Sequence, residues 1–278
     1  MSEVQDLILI EENEEGTVST IKLNRLHKKN AFNWGMIMGL SNALDEVERS
    51  KSRVVIITGD DDCFSSGIDL RFLMGQDPTV KGYHPQNPRR NSGGMRYFDS
   101  INLQAFRIKL TKMEKPVIAR IAGICFGLAL EIAVGCDFRF CTESTVFNMT
   151  EAKYSVVPIT GGLVGLTRLV GIPIAKDIIG TARKFDGKQA YEWGLVTGVA
   201  QSVDEMDEQI KYYVDEIIDS APLAVGLGKK MVDWAYGKDT DFGIDIENLI
   251  NSYLLNTKDM KAGAMARMRK KPPRWRGQ

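Results

Sequence analysis

At 278 residues, 44% of them apolar, the chain is long enough to bury a sizeable core in one large domain or in a domain with a helical appendage. Lysine plus arginine balances aspartate plus glutamate at 36 each, which excludes a global field that would hold the chain on nucleic acid or an anionic membrane; any affinity for anions has to be local. The acidic stretch Met1 to Glu15 lacks the apolar run of a secretory signal, and nowhere do about 18 apolar residues follow one another, so the expectation is a soluble, cytoplasmic protein. Cys63, Cys125, Cys136 and Cys141 are scattered without CxxC spacing, and His27 and His84 are the only histidines. This pattern argues against a zinc site and leaves a histidine-based triad few candidates, so carboxylates lead for proton transfer.

In chain order, the apolar runs Leu7 to Ile10 and Val18 to Leu23 flank a polar turn and predict a hairpin. From Trp34 onward, Ile37, Leu40, Leu44 and Val47 recur at spacings of three and four, the stripe of an amphipathic helix. Val54 to Thr58 ending in Gly59, and Pro116 to Ile121 followed by Gly123, read as buried strands. The alternation through Phe147 predicts parallel βαβ units with functional loops at the carboxyl ends of strands. The Gly75 to Arg96 segment, rich in Pro, Gly and charge, cannot sit inside a sheet and reads as a lid or an insertion. Beyond Gly161 the pattern is almost wholly helical: Asp186 caps a helix that Gly194 ends, Asp204 to Ile218 is amphipathic, Pro222 opens another helix, and Gly243 to Met268 supplies one or two more. The expected division is a catalytic core over residues 1–202 and a helical region over 203–278 for oligomerisation and active-site cover.

Glu131 stands in a stretch that is otherwise apolar or small from Gly123 to Cys136. A carboxylate there needs a partner or a proton. It is either half of a structural ion pair, with Arg120 or Arg139, or a general acid or base whose pKa burial has raised. The turn Cys63 to Leu70, after the strand ending at Thr58, is either an ordinary Ser-Gly turn or a nest of main-chain amides for an anion. A helix starting near Gly127 would aim free N–H groups at the same anion, completing an oxyanion hole. Glu151, 20 positions after Glu131, is either a solvated loop residue or the second carboxylate of an acid-base pair. Thr160 to Gly165 has neither the Walker lysine nor GxGxxG spacing and is taken as a turn into a helix.

These residues resemble the crotonase (enoyl-CoA hydratase/isomerase) superfamily from about Val4 to Gly277. Leu23-Asn-Arg25 with Asn30-Ala31 resembles its LNRP…NAL signature, with Leu26 in place of proline. Ser65-Ser-Gly-Ile-Asp-Leu70 resembles the A/S-G-x-D-L segment, and Gly123 to Asp137 the G-x-x-x-G-G-G-x-E/D-L-A-x-x-C-D segment, with Gly127-Leu128-Ala129 in place of the glycine triplet. The ending Arg269-Lys-Lys-Pro-Pro-Arg-Trp275 is similar to the family's KRPP-aromatic finish.

The resemblance implies an α/β fold, a spiral of ββα turns with a helical C-terminal region, assembled as a homotrimer or hexamer. It implies an acyl-CoA substrate and no metal or redox cofactor. It assigns Glu131 and Glu151 as the catalytic carboxylates and the backbone N–H groups of Ser66 and Leu128 as oxyanion donors. Arg25, Lys28, Lys29, Ser65, Gly67, Ile68, Asp69 and Leu70 become candidates for coenzyme A contact; for Arg25, Lys28 and Lys29 the plain reading is a solvated turn. A bulky Leu128 is expected to reshape the acyl pocket. The reaction expected is hydration of a 2-trans-enoyl-CoA. The chain is also similar to Δ3,5-Δ2,4-dienoyl-CoA isomerases, but their additional aspartate has no counterpart at Pro158-Ile-Thr160. An acyl-CoA thioester hydrolase is a nearer alternative than an RNA-binding relative, which would rest on the basic tail Lys261 to Gln278.

Overall fold

The computed structural model describes residues 7–74, 76–77 and 93–278. Strand β1 (Ile8–Glu12) pairs antiparallel with β2 (Val18–Leu23), a hairpin as expected, its turn closed by Asn13, whose side chain accepts the Thr17 and Val18 amides. Helix α1 (Trp34–Arg49) is capped by Asn33 and buries Ile37, Leu40, Leu44 and Val47, the stripe its spacing dictates. From here each turn of the chain lays one strand in each of two sheets and returns by a helix. Strand β3 (Val54–Thr58) leads to β4 (Cys63–Ser65), then α2 (Leu70–Leu73) and α3 (Gly93–Lys112). Strand β5 (Val117–Ile121) leads to β6 (Ile124–Phe126) and α4 (Leu128–Gly135). Strand β7 (Phe138–Thr142) leads to β8 (Val146–Asn148), a 3-10 turn at Glu151–Tyr154, and α5 (Gly162–Thr181), kinked at Gly171.

The chain continues through β9 (Phe185–Asp186), α6 (Gly187–Glu192) and β10 (Gly198–Ala200), then α7 (Val203–Ile218), α8 (Pro222–Ala235), α9 (Thr240–Leu255) and α10 (Lys258–Met268). Among the described residues the larger sheet runs β1-β2-β3-β5-β7-β10, parallel except for β1, and the smaller runs β4-β6-β8-β9, with β9 antiparallel. This is the expected spiral. Strands β4, β6 and β8 of the second sheet, three residues each, are too short to carry a periodicity in the sequence.

The main core lies between the larger sheet, α1, α3, α4 and α5, with Ile21, Leu40, Ile57, Phe106 and Leu130 at its centre. A second core on the sheet's other face joins Val54, Ile118 and Phe140 to Met206, Ile210 and Val214 of α7. Helix α7 is therefore a layer of this second core, and α8 follows it from Pro222. That helix is tied back by Lys229, whose ammonium lies 2.7 Å from Asp137. The Gly75 to Arg96 segment lies outside the described residues except for Gln76, Asp77 and Gly93 to Arg96, which open α3. No helix among the described residues is long and apolar enough to cross a membrane.

Candidate active site

All residues of α4 are buried, and Glu131 is one of them, 3% exposed. Its partner is not an arginine. Arg120 is engaged by Asp61 and Asp207, at 2.9 and 2.6 Å, and Arg139 donates to the carbonyls of Leu195, Ala133 and Cys136. The ion-pair alternative is thus overturned. Instead, Oε2 of Glu131 accepts the N–H groups of Thr160, at 2.8 Å, and Gly162, at 3.1 Å. These amides lie at the start of α5, where a helix leaves its first N–H groups without partners and its dipole favours an anion. Burial pushes the Glu131 carboxyl above its ordinary range, and the donors from Thr160 and Gly162 pull against that rise without cancelling it.

Glu151 begins the 3-10 turn after β8. Its Oε2 is buried and has no hydrogen-bond partner among the described residues. Burial, then the negative charge of Glu131, push its pKa to about 7. The two carboxyls are therefore electrostatically coupled, and one of them is poised to exchange a proton near neutrality.

Gly127 caps α4 with φ +53° and ψ −122°, a conformation open to glycine alone, and a Cβ placed on it would stand 3.0 Å from Oε1 of Glu151. Its own N–H donates to Asn148, whereas the next N–H, that of Leu128, has no acceptor among the described residues. The turn after β4 comes up against the same place. A Cβ on Gly67, whose φ is +92°, would stand 2.5 Å from the Phe126 carbonyl and 3.6 Å from the Leu128 nitrogen.

Within this turn the expected donor is corrected. The Ser66 N–H donates to the Lys29 carbonyl at 2.9 Å and has no second proton for an oxyanion. Two positions on, the Ile68 N–H has no acceptor among the described residues, while its neighbours are fixed by bonds from the Phe32 N–H to Gly67 and from the Asp69 N–H to Phe32. Ile68 and Leu128 thus present the free amides of the two turns. Sequence position alone could not choose between Ser66 and Ile68, because the choice depends on the distant Lys29 carbonyl.

Ser65 is fully buried, its hydroxyl donating to the Asn30 carbonyl and accepting the Gly67 N–H, so it shapes the turn and is not available to a ligand. Arg25 donates to the Ala31 carbonyl and pairs with Asp69 at 2.7 Å; it braces the Gly67 to Leu70 turn instead of reaching into solvent. Asp69 also caps α2. Lys28 and Lys29 are exposed, and Leu70 is 44% exposed. The Leu128 side chain is 3% exposed and packs in the main core. Asn30, with φ +51°, donates to the Cys63 and Phe64 carbonyls and was missed as a site-shaping residue, as were the amides of Thr160 and Gly162. A Gly161-Gly162 doublet opening a helix was the available signal for those amides.

The family model described as enoyl-CoA hydratase/isomerase matches residues 13–278. The chain is 29% identical to a peroxisomal Delta(3,5)-Delta(2,4)-dienoyl-CoA isomerase of Arabidopsis thaliana, over 99% of this chain and 98% of that protein. It is likewise 29% identical to the mitochondrial methylglutaconyl-CoA hydratase of Homo sapiens, over 97% of this chain and 76% of that one. An enoyl-CoA hydratase structure from Bacillus anthracis superposes with a TM-score of 0.85 at 27% identity, covering 98% of this chain and all of that one. Fold and sequence agree, and the chain belongs to the enoyl-CoA hydratase/isomerase family, within the crotonase superfamily.

Proposed function

We propose that this chain is an enoyl-CoA hydratase, adding water in syn fashion across the double bond of a 2-trans-enoyl-CoA. The observation that carries the reading is the coupled pair of buried carboxyls, Glu131 and Glu151, set beside the free Leu128 amide. The thioester oxygen would accept hydrogen bonds from the Ile68 and Leu128 N–H groups, which stabilise the enolate as charge arrives there. A donor of this kind is worth about 2.7 to 4 kcal/mol of barrier. Glu151, ionised at and above neutrality, takes a proton from the water attacking C3; a carboxylic acid, Glu151 after that transfer or Glu131, returns one to C2. Hydroxide thus ends on C3 and a proton on C2, and the reaction calls for no resident cofactor.

Lys28 and Lys29, with the basic tail, are the cations available to coenzyme A phosphates. The exposed apolar side chains of α9 and α10, among them Phe242, Leu249, Tyr253 and Met268, support assembly into a trimer or hexamer. The isomerase relative favours a second reading, dienoyl isomerisation. Around Ile159, however, the groups turned to Glu131 are backbone amides and no acid stands there, whereas a 1,5-proton shift needs acids at two distant carbons.

Incubation of a 2-trans-enoyl-CoA in ¹⁸O-water tests the choice. Label in a 3-hydroxyacyl product supports hydration. Rapid conversion of a 3,5-dienoyl-CoA without label uptake supports isomerisation, and release of free thiol would point to a thioester hydrolase.

A further inference from the structure

The start of α5 is a thin layer of backbone between two side chains. On one side is Glu131: a Cβ on Gly162 would stand 2.3 Å from its Cγ and 2.7 Å from its Oε2. On the other is Arg107 of α3: a Cβ on Gly161 would stand 2.9 Å from its Cγ. Two further glycines close around the same arginine. A Cβ on Gly135 would lie 3.5 Å from its Cδ, and one on Gly165 would lie 2.9 Å from its Nη1. At Gly161 and Gly165 the arginine itself stands in the space a Cβ would need, and at Gly135 it lies at ordinary contact distance, so it packs directly against the backbone of α4 and α5.

The head of the arginine is fixed too. Its Nη1 donates to the Val134 carbonyl at 2.9 Å, near the C-terminus of α4, where the helix dipole favours a cation. Burial works against its charge, and the charges that face it are Asp233 of α8, Arg168 of α5 and Asp137 at the foot of β7, with the Cys136 thiol beside them. No ion pair within salt-bridge distance holds Arg107 among the described residues; its partner is the helix end. Keeping a cation half-buried on these terms is costly for packing alone, since an apolar side chain would fill the same space without desolvation.

We propose that Arg107 is a positioning residue for the carboxylate pair, joining the end of α4 to the start of α5 so that the Thr160 and Gly162 amides stay on Glu131. The proposal rests on the reading of Glu131 and Glu151 as the acid-base pair. Arg107 does not touch the reacting atoms; it acts through Gly161 and Gly162 on Glu131, and through the charge of Glu131 on the proton affinity of Glu151.

The test compares Arg107→Met, Arg107→Lys and Glu131→Gln, singly and in combination, on crotonyl-CoA across pH, with thermal unfolding measured for each. Arg107→Met should lower kcat about 10- to 100-fold, the scale of a small misplacement of a catalytic group, and leave KM little changed. The acid limb of its pH profile should move down, toward the ordinary glutamate range, as Glu131 loses its fixed place beside Glu151. Arg107→Lys keeps a cation for the Val134 carbonyl and should recover part of both effects; it supplies the same comparison where the methionine variant does not fold. In the Glu131→Gln background, Arg107→Met should cost little more, because both act through one group.

A merely structural arginine would lower the unfolding temperature, leave the pH profile of the remaining activity unmoved and weaken both backgrounds equally. That result overturns the proposal. Full activity of Arg107→Met beside a crippled Glu131→Gln sinks this inference alone, and full activity of Glu131→Gln sinks the hydratase reading with it.

Discussion

The carboxyl of Glu151 rests against the bare Cα of Gly127, close enough that a Cβ there would stand 3.0 Å from Oε1 and 3.1 Å from the Thr150 hydroxyl. The same glycine, at φ +53°, turns the chain so that the Leu128 N–H is left free. One residue therefore sets both the approach of the acid and the aim of an amide. Gly127→Ala should lose about 1 to 3 kcal/mol of stability from backbone strain and, by moving both groups, about 10² in turnover. Thermal unfolding and kcat on crotonyl-CoA measure the two losses. Turnover within twofold of the parent would show that the contact has no catalytic role.

Glu131→Gln and Glu151→Gln should each lower turnover by about 10² to 10⁴, the range for a lost general acid or base. The fold should survive, since neither carboxylate pairs with a cation among the described residues and glutamine keeps the acceptor that Thr160 and Gly162 use. Circular dichroism and kcat on the purified variants decide this. An unfolded Glu131→Gln beside a fully active Glu151→Gln would make Glu131 a structural residue.

Activity and stability should respond to pH in opposite senses. With Glu151 acting as base, kcat/KM for hydration rises with its ionisation, an acid limb centred near pH 7. Removing the neighbouring charge by Glu131→Gln should move that limb downward. For stability, the Glu151 pKa is about 7 in the fold and near 4.5 unfolded, so the unfolded chain releases its proton first as pH rises. The contribution is fully present below about pH 4.5, falls as pH rises toward 7, and amounts to at most about 3 kcal/mol. Glu151→Gln should abolish this loss, so its stability relative to the parent should grow between those pH values in urea unfolding. Parallel stability curves would contradict the raised pKa.

How much was legible in the sequence follows from the range of the interactions concerned. Helix α1 and strands β3 and β5 are set by local periodicity and β-branched runs, and their stripes are the buried ones. Glu131 stood out because a carboxylate in an apolar run needs an explanation whatever the fold. Its actual partners were not legible, because the amides of Thr160 and Gly162 come from a helix start some 30 positions away and carry no side-chain signature. The Ser66 assignment failed for a related reason: which amide of a turn is free depends on the carbonyl opposite it, here that of Lys29. Likewise, Arg25, a candidate for coenzyme A contact in the sequence, meets Asp69 only through the fold, 44 positions along the chain.

Arg25 and Asp69 are mostly enclosed, with side chains 13% and 14% exposed and 2.7 Å between Nη1 and Oδ2. Burial pushes the Asp69 carboxyl up, but the bonds from the Arg25 side chain and the Arg71 N–H outweigh it and hold the group below the ordinary carboxylate range. The pair spans the turn that presents the Ile68 N–H, so Arg25→Met should loosen that turn, lowering kcat about tenfold and costing about 1 to 3 kcal/mol for the carboxylate left without its cation. Because the Asp69 pKa is depressed by folding, the stabilisation is present above the unfolded value and is lost as pH falls through the folded one. The stability gap between parent and Arg25→Met should therefore close on acidification below about pH 4, where the unfolded aspartate protonates. Asp69→Asn, which keeps the shape of the cap and removes the charge, should reproduce the loss of turnover. Should both variants instead raise KM for acyl-CoA, leave kcat untouched and lose that effect with a pantetheine thioester lacking the nucleotide phosphates, Arg25 would be a coenzyme A contact after all, and the bracing role of the pair would fall.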